Sequence, residues 1–250
     1  MSLAFLSADA ATAGEAVARS PMERRALAAG AQLQLVHGWN VPGAYGEAQL
    51  ERERLTRSVG FSDRSSLVKL ELAAEPQRLA AVVALASGGD AALLPGLAAR
   101  RATAGAGAHS WWCPVTPGRV LVLGEQQDAE ALRAGVSEAA ERVGGTAGVV
   151  DLTCGLAAMT LAGPQARELL ARFCAIDVRP AQAPPMSFRP GSVARAPGYL
   201  LVEGAERLLV LVGSALGEYL WQVVADAAAQ LGGGPVGARA LAETPEAADA

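Results

Sequence analysis

Two histidines, His37 and His109, and three cysteines, Cys113, Cys154 and Cys174, are all that this 250-residue chain offers for metal-binding or near-neutral proton chemistry. No cysteine pair has C-x-x-C spacing, and two histidines do not complete a zinc-type ligand set. Neither histidine accompanies a nucleophile-like motif, so no Ser/His/Asp or Cys/His arrangement can be written and no catalytic residue is assigned. Gly105-Ala-Gly107 and Gly232-Gly-Gly234 lack the strand-to-helix setting and the lysine of a phosphate loop. What remains is the chemistry of recognition. Arg195, at a strand end, offers a planar fork of donors to an anion or to a surface ion pair. Tyr199 on the adjoining strand can stack on a flat ligand or pack into a core. Glu203 is either a carboxylate acceptor or one member of a polar hairpin turn with Glu206. Trp39 and Tyr45 bracket a glycine-containing loop and can wall a cleft or pack that loop down. Asp63 and Asp151 each stand two residues before a hydroxyl side chain, a spacing that caps turns at the start of strands.

The elements that must carry these residues follow from periodicity. Ser20-Pro21 opens a short helix over 22–29, Gln32–Val36 alternates as a strand, 37–46 reads as a loop, and 47–59 as a helix. A strand over 67–72 and a helix over 76–86 come next, then an irregular segment over 90–108. Ser110–Val115 and Arg119–Leu123 form a hairpin across Thr116-Pro117-Gly118, followed by a helix over 127–143. Later come a strand before Gly163-Pro164, a helix around Leu169 and Leu170, strands over 192–195, 199–202 and 207–212, and a helix over about 216–231. Trp111 and Trp112 fall on opposite sides of their strand, so one ring is expected at a partner surface.

The second half repeats the first. Asp151 minus Asp63 is 88, and at that offset Gly148 lies over Gly60, Thr153 over Ser65, Pro164 over Pro76, Gln165 over Gln77 and Arg207 over Arg119. Residues 119–140 and 207–228 share nine identities in 22 positions. Their Arg and Glu matches are not a product of apolar bias. Each copy has strand–helix–strands–helix order. The expected fold class is therefore α+β: two tandem ferredoxin-like repeats of antiparallel sheet with helices, and a ligand seam between them. The expected division is a flexible leader over 1–19, a first unit over 20–147, a second over 148–241 and a disordered tail over 242–250.

The net charge of −4 argues against nucleic acid. No apolar run reaches the roughly 20 residues of a membrane span. With no basic segment before Leu3–Leu6 and an odd cysteine count, the expectation is a cytoplasmic protein with free thiols.

Ser20-Pro-Met-Glu-Arg-Arg, Gly38-Trp39-Asn-Val-Pro42-Gly-Ala-Tyr45-Gly46 and Gly60-Phe-Ser-Asp63-Arg-Ser65 resemble the opening of the glycine-cleavage T-protein family, the aminomethyltransferases. Asp151-Leu-Thr153, Gly163-Pro164-Gln165 and Arg195-Ala-Pro-Gly198-Tyr199 are similar to the same family and to the folate-binding portions of sarcosine and dimethylglycine oxidising enzymes. The resemblance covers about residues 20–240. It implies a T-protein folate-binding-like fold and tetrahydrofolate as cofactor, with Arg195, Tyr199, Glu203, Trp39 and Tyr45 around it. The implied reaction moves a one-carbon unit from an aminomethyl-lipoyl carrier to folate. The chain departs from the family at two acids. The Gly-Glu step after the tyrosine has become Leu201-Val202, with Glu203 one place later, where strand alternation turns it to the other face. Trp111-Trp112-Cys113-Pro114 stands where the family carries an aspartate. With no small C-terminal barrel either, the outline is similar to the gamma subunit of heterotetrameric sarcosine oxidase. The alternative expectation is a non-catalytic subunit or scaffold, its oxidase or lipoyl-carrier partner docking on the Trp111/Trp112 face.

Overall fold

A computed structural model describes residues 16–88, 96, 98–102 and 109–244. The expectations for the leader through residue 15 and the tail beyond 244 lie outside these residues. Two compact units divide the chain: Met1–Ser66 with Leu156–Pro185 and Pro190–Ala250, and Leu67–Gly155 with Met186–Arg189.

The first unit opens with β1 (Ala18–Arg19) and α1 (Glu23–Ala28), where the Ser20 hydroxyl accepts the Met22 amide at 3.0 Å. A small sheet of order β1-β3-β2 joins β1 to β2 (Gln32–Val36) and β3 (Trp39–Ala44). The expected loop over 37–46 is thus mostly strand. His37 and Gly38, both left-handed at φ 45° and 79°, close a two-residue hairpin turn of the kind that matches strand twist. After α2 (Ala48–Arg57) comes β4 (Gly60–Asp63).

The second unit runs through β5 (Val68–Ala74), α3 (Pro76–Ala86), β6 (Ala99–Ala102), β7 (His109–Thr116), β8 (Arg119–Gly124), α4 (Ala129–Val143) and β9 (Ala147–Asp151). Its five-stranded sheet has the order β6-β7-β8-β5-β9. Val68, Leu70, Leu72, Val120 and Val122 on alternate positions pack under Leu79, Val82, Val83, Leu132 and Val136 of α3 and α4. Burying each such side chain contributes roughly 1.5–3 kcal/mol, so this face holds the unit together.

The chain then returns to the first unit with β10 (Leu156–Ala162), α5 (Ala166–Ala171), β11 (Phe188–Val193), β12 (Ala196–Gly204), β13 (Arg207–Gly213), α6 (Gly217–Ala229), β14 (Gly234–Pro235) and α7 (Ala238–Ala242). The six-stranded sheet is ordered β11-β12-β13-β10-β4-β14. Its helix-covered face presents Phe61, Met159, Leu161, Leu200, Val202, Leu208 and Val210 to Leu169, Leu170, Leu220 and Val224.

The 88-residue offset is visible in the elements: β5 and β10, β8 and β13, and α4 and α6 begin 88 residues apart. Asp63 Oδ1 accepts the Ser65 amide at 2.9 Å and Asp151 Oδ1 the Thr153 amide at 2.8 Å, the turn-capping role expected of both. The lead strands, however, change places. β4 of the first repeat pairs with β10 of the second, and β9 of the second pairs with β5 of the first. The repeat boundary at 147/148 is therefore not where the compact units divide. Among the described residues no helix is long and apolar enough to cross a membrane.

Candidate functional site

The five residues singled out for recognition all fall in the first unit, but in three different settings. Arg195 lies with Ala194 in the two-residue turn between β11 and β12, both left-handed at φ 50° and 62°. A non-glycine residue there costs about 1–2 kcal/mol, and the strained turn presents Arg195 to solvent. Tyr199 is half-buried opposite Leu211. Strand alternation places it with Leu201 on the sheet face away from α5 and α6, because Leu200 and Val202 belong to the helix-covered core.

Glu203 is not in a polar turn. It lies within β12 at an irregularity between Val202 and Gly204. Its carboxylate accepts from Arg207 Nε at 3.0 Å, with the two side chains 3% and 6% exposed. Arg207 Nη1 also donates to the carbonyls of Leu241 and Thr244 and to the Thr244 hydroxyl. The pair thus fastens the end of α7 to the sheet.

Trp39 and Tyr45 are both buried. Tyr45 packs on the helix-covered face, its ring centroid 6.2 Å from that of Trp221. Burial pushes its hydroxyl well above the usual tyrosine value, and the Asp63 and Glu51 carboxylates add to the shift. The structure therefore places Tyr45 on one face of the large sheet and Tyr199 on the other, with Arg195 at the strand ends and Trp39 in the small sheet. An open groove of about 610 Å³ between the end of α5 and α6, lined by Phe173, Val223 and Ala227, contains none of them.

Three features escaped sequence reasoning. Glu51 is fully buried on α2, and its two carboxylate oxygens accept the Tyr45 amide at 2.6 Å and the Gly237 amide at 2.7 Å. Its helical spacing four before Leu55 was the available signal. Lys69 is fully buried on β5, donating to the carbonyls of Leu67 at 2.8 Å and Thr153 at 3.0 Å. The hydroxyls of Ser62 and Thr160, directly opposite each other on β4 and β10, are buried without a hydrogen-bond partner among the described residues. Alternation sets them on the same face as Tyr199.

Trp111 and Trp112 do not form an exposed partner face. They are 7% and 2% exposed, because β7 is an interior strand buried on both sides. Trp112 packs under the helices and its indole donates to the Ser110 hydroxyl at 3.0 Å.

Two solved structures share this fold. The glycine cleavage system aminomethyltransferase T of Bartonella henselae matches with a TM-score of 0.74 at 16% identity, over 89% of this chain and 60% of that one. A chain of heterotetrameric sarcosine oxidase from Corynebacterium sp. U-96 matches with a TM-score of 0.65 at 21% identity, over 86% of this chain and 96% of that one. The chain thus spans about 60% of the length of the aminomethyltransferase. No family model matches the sequence, and no curated protein does.

Proposed function

We propose that this chain is a non-catalytic member of its fold, a gamma-type subunit or scaffold of an oxidase complex of the sarcosine and dimethylglycine class. The observation that carries the proposal is the engagement of Glu203. A pterin is clamped by a carboxylate that accepts two of its N–H groups. Leu201 and Val202 occupy the positions of the family's Gly-Glu step, and the nearest carboxylate is buried against Arg207. Pulling Arg207 away from a buried acid costs about 3–5 kcal/mol. At 1.4 kcal/mol per tenfold, folate affinity would fall by roughly a hundredfold to a few thousandfold. The residues present therefore do not complete a pterin clamp.

A second reading, tetrahydrofolate binding in one-carbon metabolism, is favoured by the strained turn that holds Arg195 in solvent on the strand leading to Tyr199. Arg195 would hold the glutamate tail, Tyr199 would flank the rings, and the folate would supply the one-carbon chemistry.

Calorimetry with tetrahydrofolate separates the two readings, together with co-expression beside sarcosine-oxidase-type subunits. The expected result is co-elution with those subunits and no saturable heat at micromolar folate. Saturable heat that Arg195→Ala abolishes, from a chain that elutes alone, establishes the second reading instead.

A further inference from the structure

The two sheets are built alike but end differently. In the first unit, β4 is not an edge. β14 runs parallel to it, and the Val59 and Phe61 carbonyls accept the amides of Gly234 and Val236 at 3.2 and 2.9 Å. In the second unit, β9 stands where β4 stands in the first, and among the described residues the sheet stops there.

The direction of its backbone groups follows from the register. Leu152 donates to the Lys69 carbonyl, so Val150 and Gly148, two and four residues back, turn their N–H and C=O groups toward β5. Ala147, Val149 and Asp151 then turn theirs outward. By the 88-residue offset, Ala147 and Val149 are the counterparts of Val59 and Phe61, the two residues that receive β14.

β9 is only lightly blunted as an edge. It has no proline, no lysine and no register shift, its one charge, Asp151 at the end, is paired with Arg133, and Val150 is 50% exposed. No strand pairs with this edge among the described residues.

We propose that the outer edge of β9 is a strand-addition site, filled by an extended segment of a different subunit running parallel to β9 as β14 runs along β4. The proposal rests on the reading of the chain as a subunit. Main-chain hydrogen bonds to residues 147, 149 and 151 supply the pairing, and the exposed Val150 side chain selects a small or apolar residue beside it. The parallel template argues for a non-identical partner, since two copies related by a two-fold axis pair through one edge antiparallel.

Residue-resolved hydrogen exchange on the full chain, alone and in its complex with co-expressed sarcosine-oxidase-type subunits, reads the edge directly. The expected result is at least tenfold slower exchange at Val149 and Asp151 in the complex, with Gly148 and Val150 unchanged. Val149→Pro removes an outward donor and no bond to β5. It is expected to keep the circular dichroism spectrum and to weaken association at least tenfold. Should that variant not fold, Val150→Lys charges the same edge from an exposed position. A complex with unaltered exchange at 149 and 151, or one undiminished by either folded variant, overturns the site and leaves the subunit reading standing. A homodimer that Val149→Pro abolishes overturns the choice of occupant. Failure to form any complex overturns both.

Discussion

Arg207 shows how much rests on one side chain. It neutralises the buried Glu203 and carries the last turn of α7. Arg207→Ala removes the cation that neutralises this buried carboxylate, and urea unfolding is expected to show a loss of about 3–5 kcal/mol. A loss under 1 kcal/mol would mean that Glu203 is reached by water and available to a ligand. Asp151 bears on pH. Partial burial pushes its carboxyl up, but the Thr153 hydroxyl and amide and the Arg133 guanidinium outweigh this and hold it below the usual carboxylate range. A folded-state pKa below the unfolded value of about 3.9 gives stability that is present above about pH 4. That stability is lost as pH falls through the folded value. Asp151→Asn is expected to flatten the acid limb of a stability-versus-pH curve below pH 4, and an unchanged limb would show that the pair with Arg133 is too well screened to matter.

At the scale of elements, the close approach of two backbones ties α7 to β3. A Cβ on Gly237 would stand 2.2 Å from the Gly43 carbonyl oxygen, while the Gly237 amide is held by Glu51. Gly237→Ala is expected to lower the thermal midpoint by several degrees, from a cost of about 1–3 kcal/mol, and to raise hydrogen exchange at Tyr45. If the midpoint moves without any change at Tyr45, Glu51 does not couple the two segments. This contact was illegible in the sequence, where Gly232-Gly-Gly-Pro235 reads only as a stop signal. β3 was hidden for a related reason: Trp39-Asn-Val-Pro-Gly-Ala44 has the composition of a loop, and pairing on both sides overrides it. The repeated strands and helices were legible, because their apolar period and 88-residue offset reflect packing within each copy. Sites were harder. Whether Trp111 is covered depends on more than its own strand, and Glu203 meets Arg207, four residues on, only because the β12–β13 hairpin and the irregularity between Val202 and Gly204 bring them together, which spacing alone does not show.

At the scale of the molecule, neither repeat owns a complete sheet. A chain cut after Gly145 gives a first half without β9 and a second half without β4. Neither half alone is expected to show cooperative thermal unfolding, whereas co-expressed halves restore it. Independent folding of either half would show that the exchanged strands are dispensable.

The exchange also sets an order of events during synthesis. β5 through β9 emerge as one uninterrupted stretch and can close their sheet at once. β4 leaves the ribosome earlier, yet its neighbour β10 begins 93 residues after β4 ends. At ordinary elongation rates that delay is roughly 5–20 s. The middle of the polypeptide is thus finished before its beginning, and until the later strands and α6 are made Phe61 lacks the β10 side chains and the Trp221 ring that complete its packing.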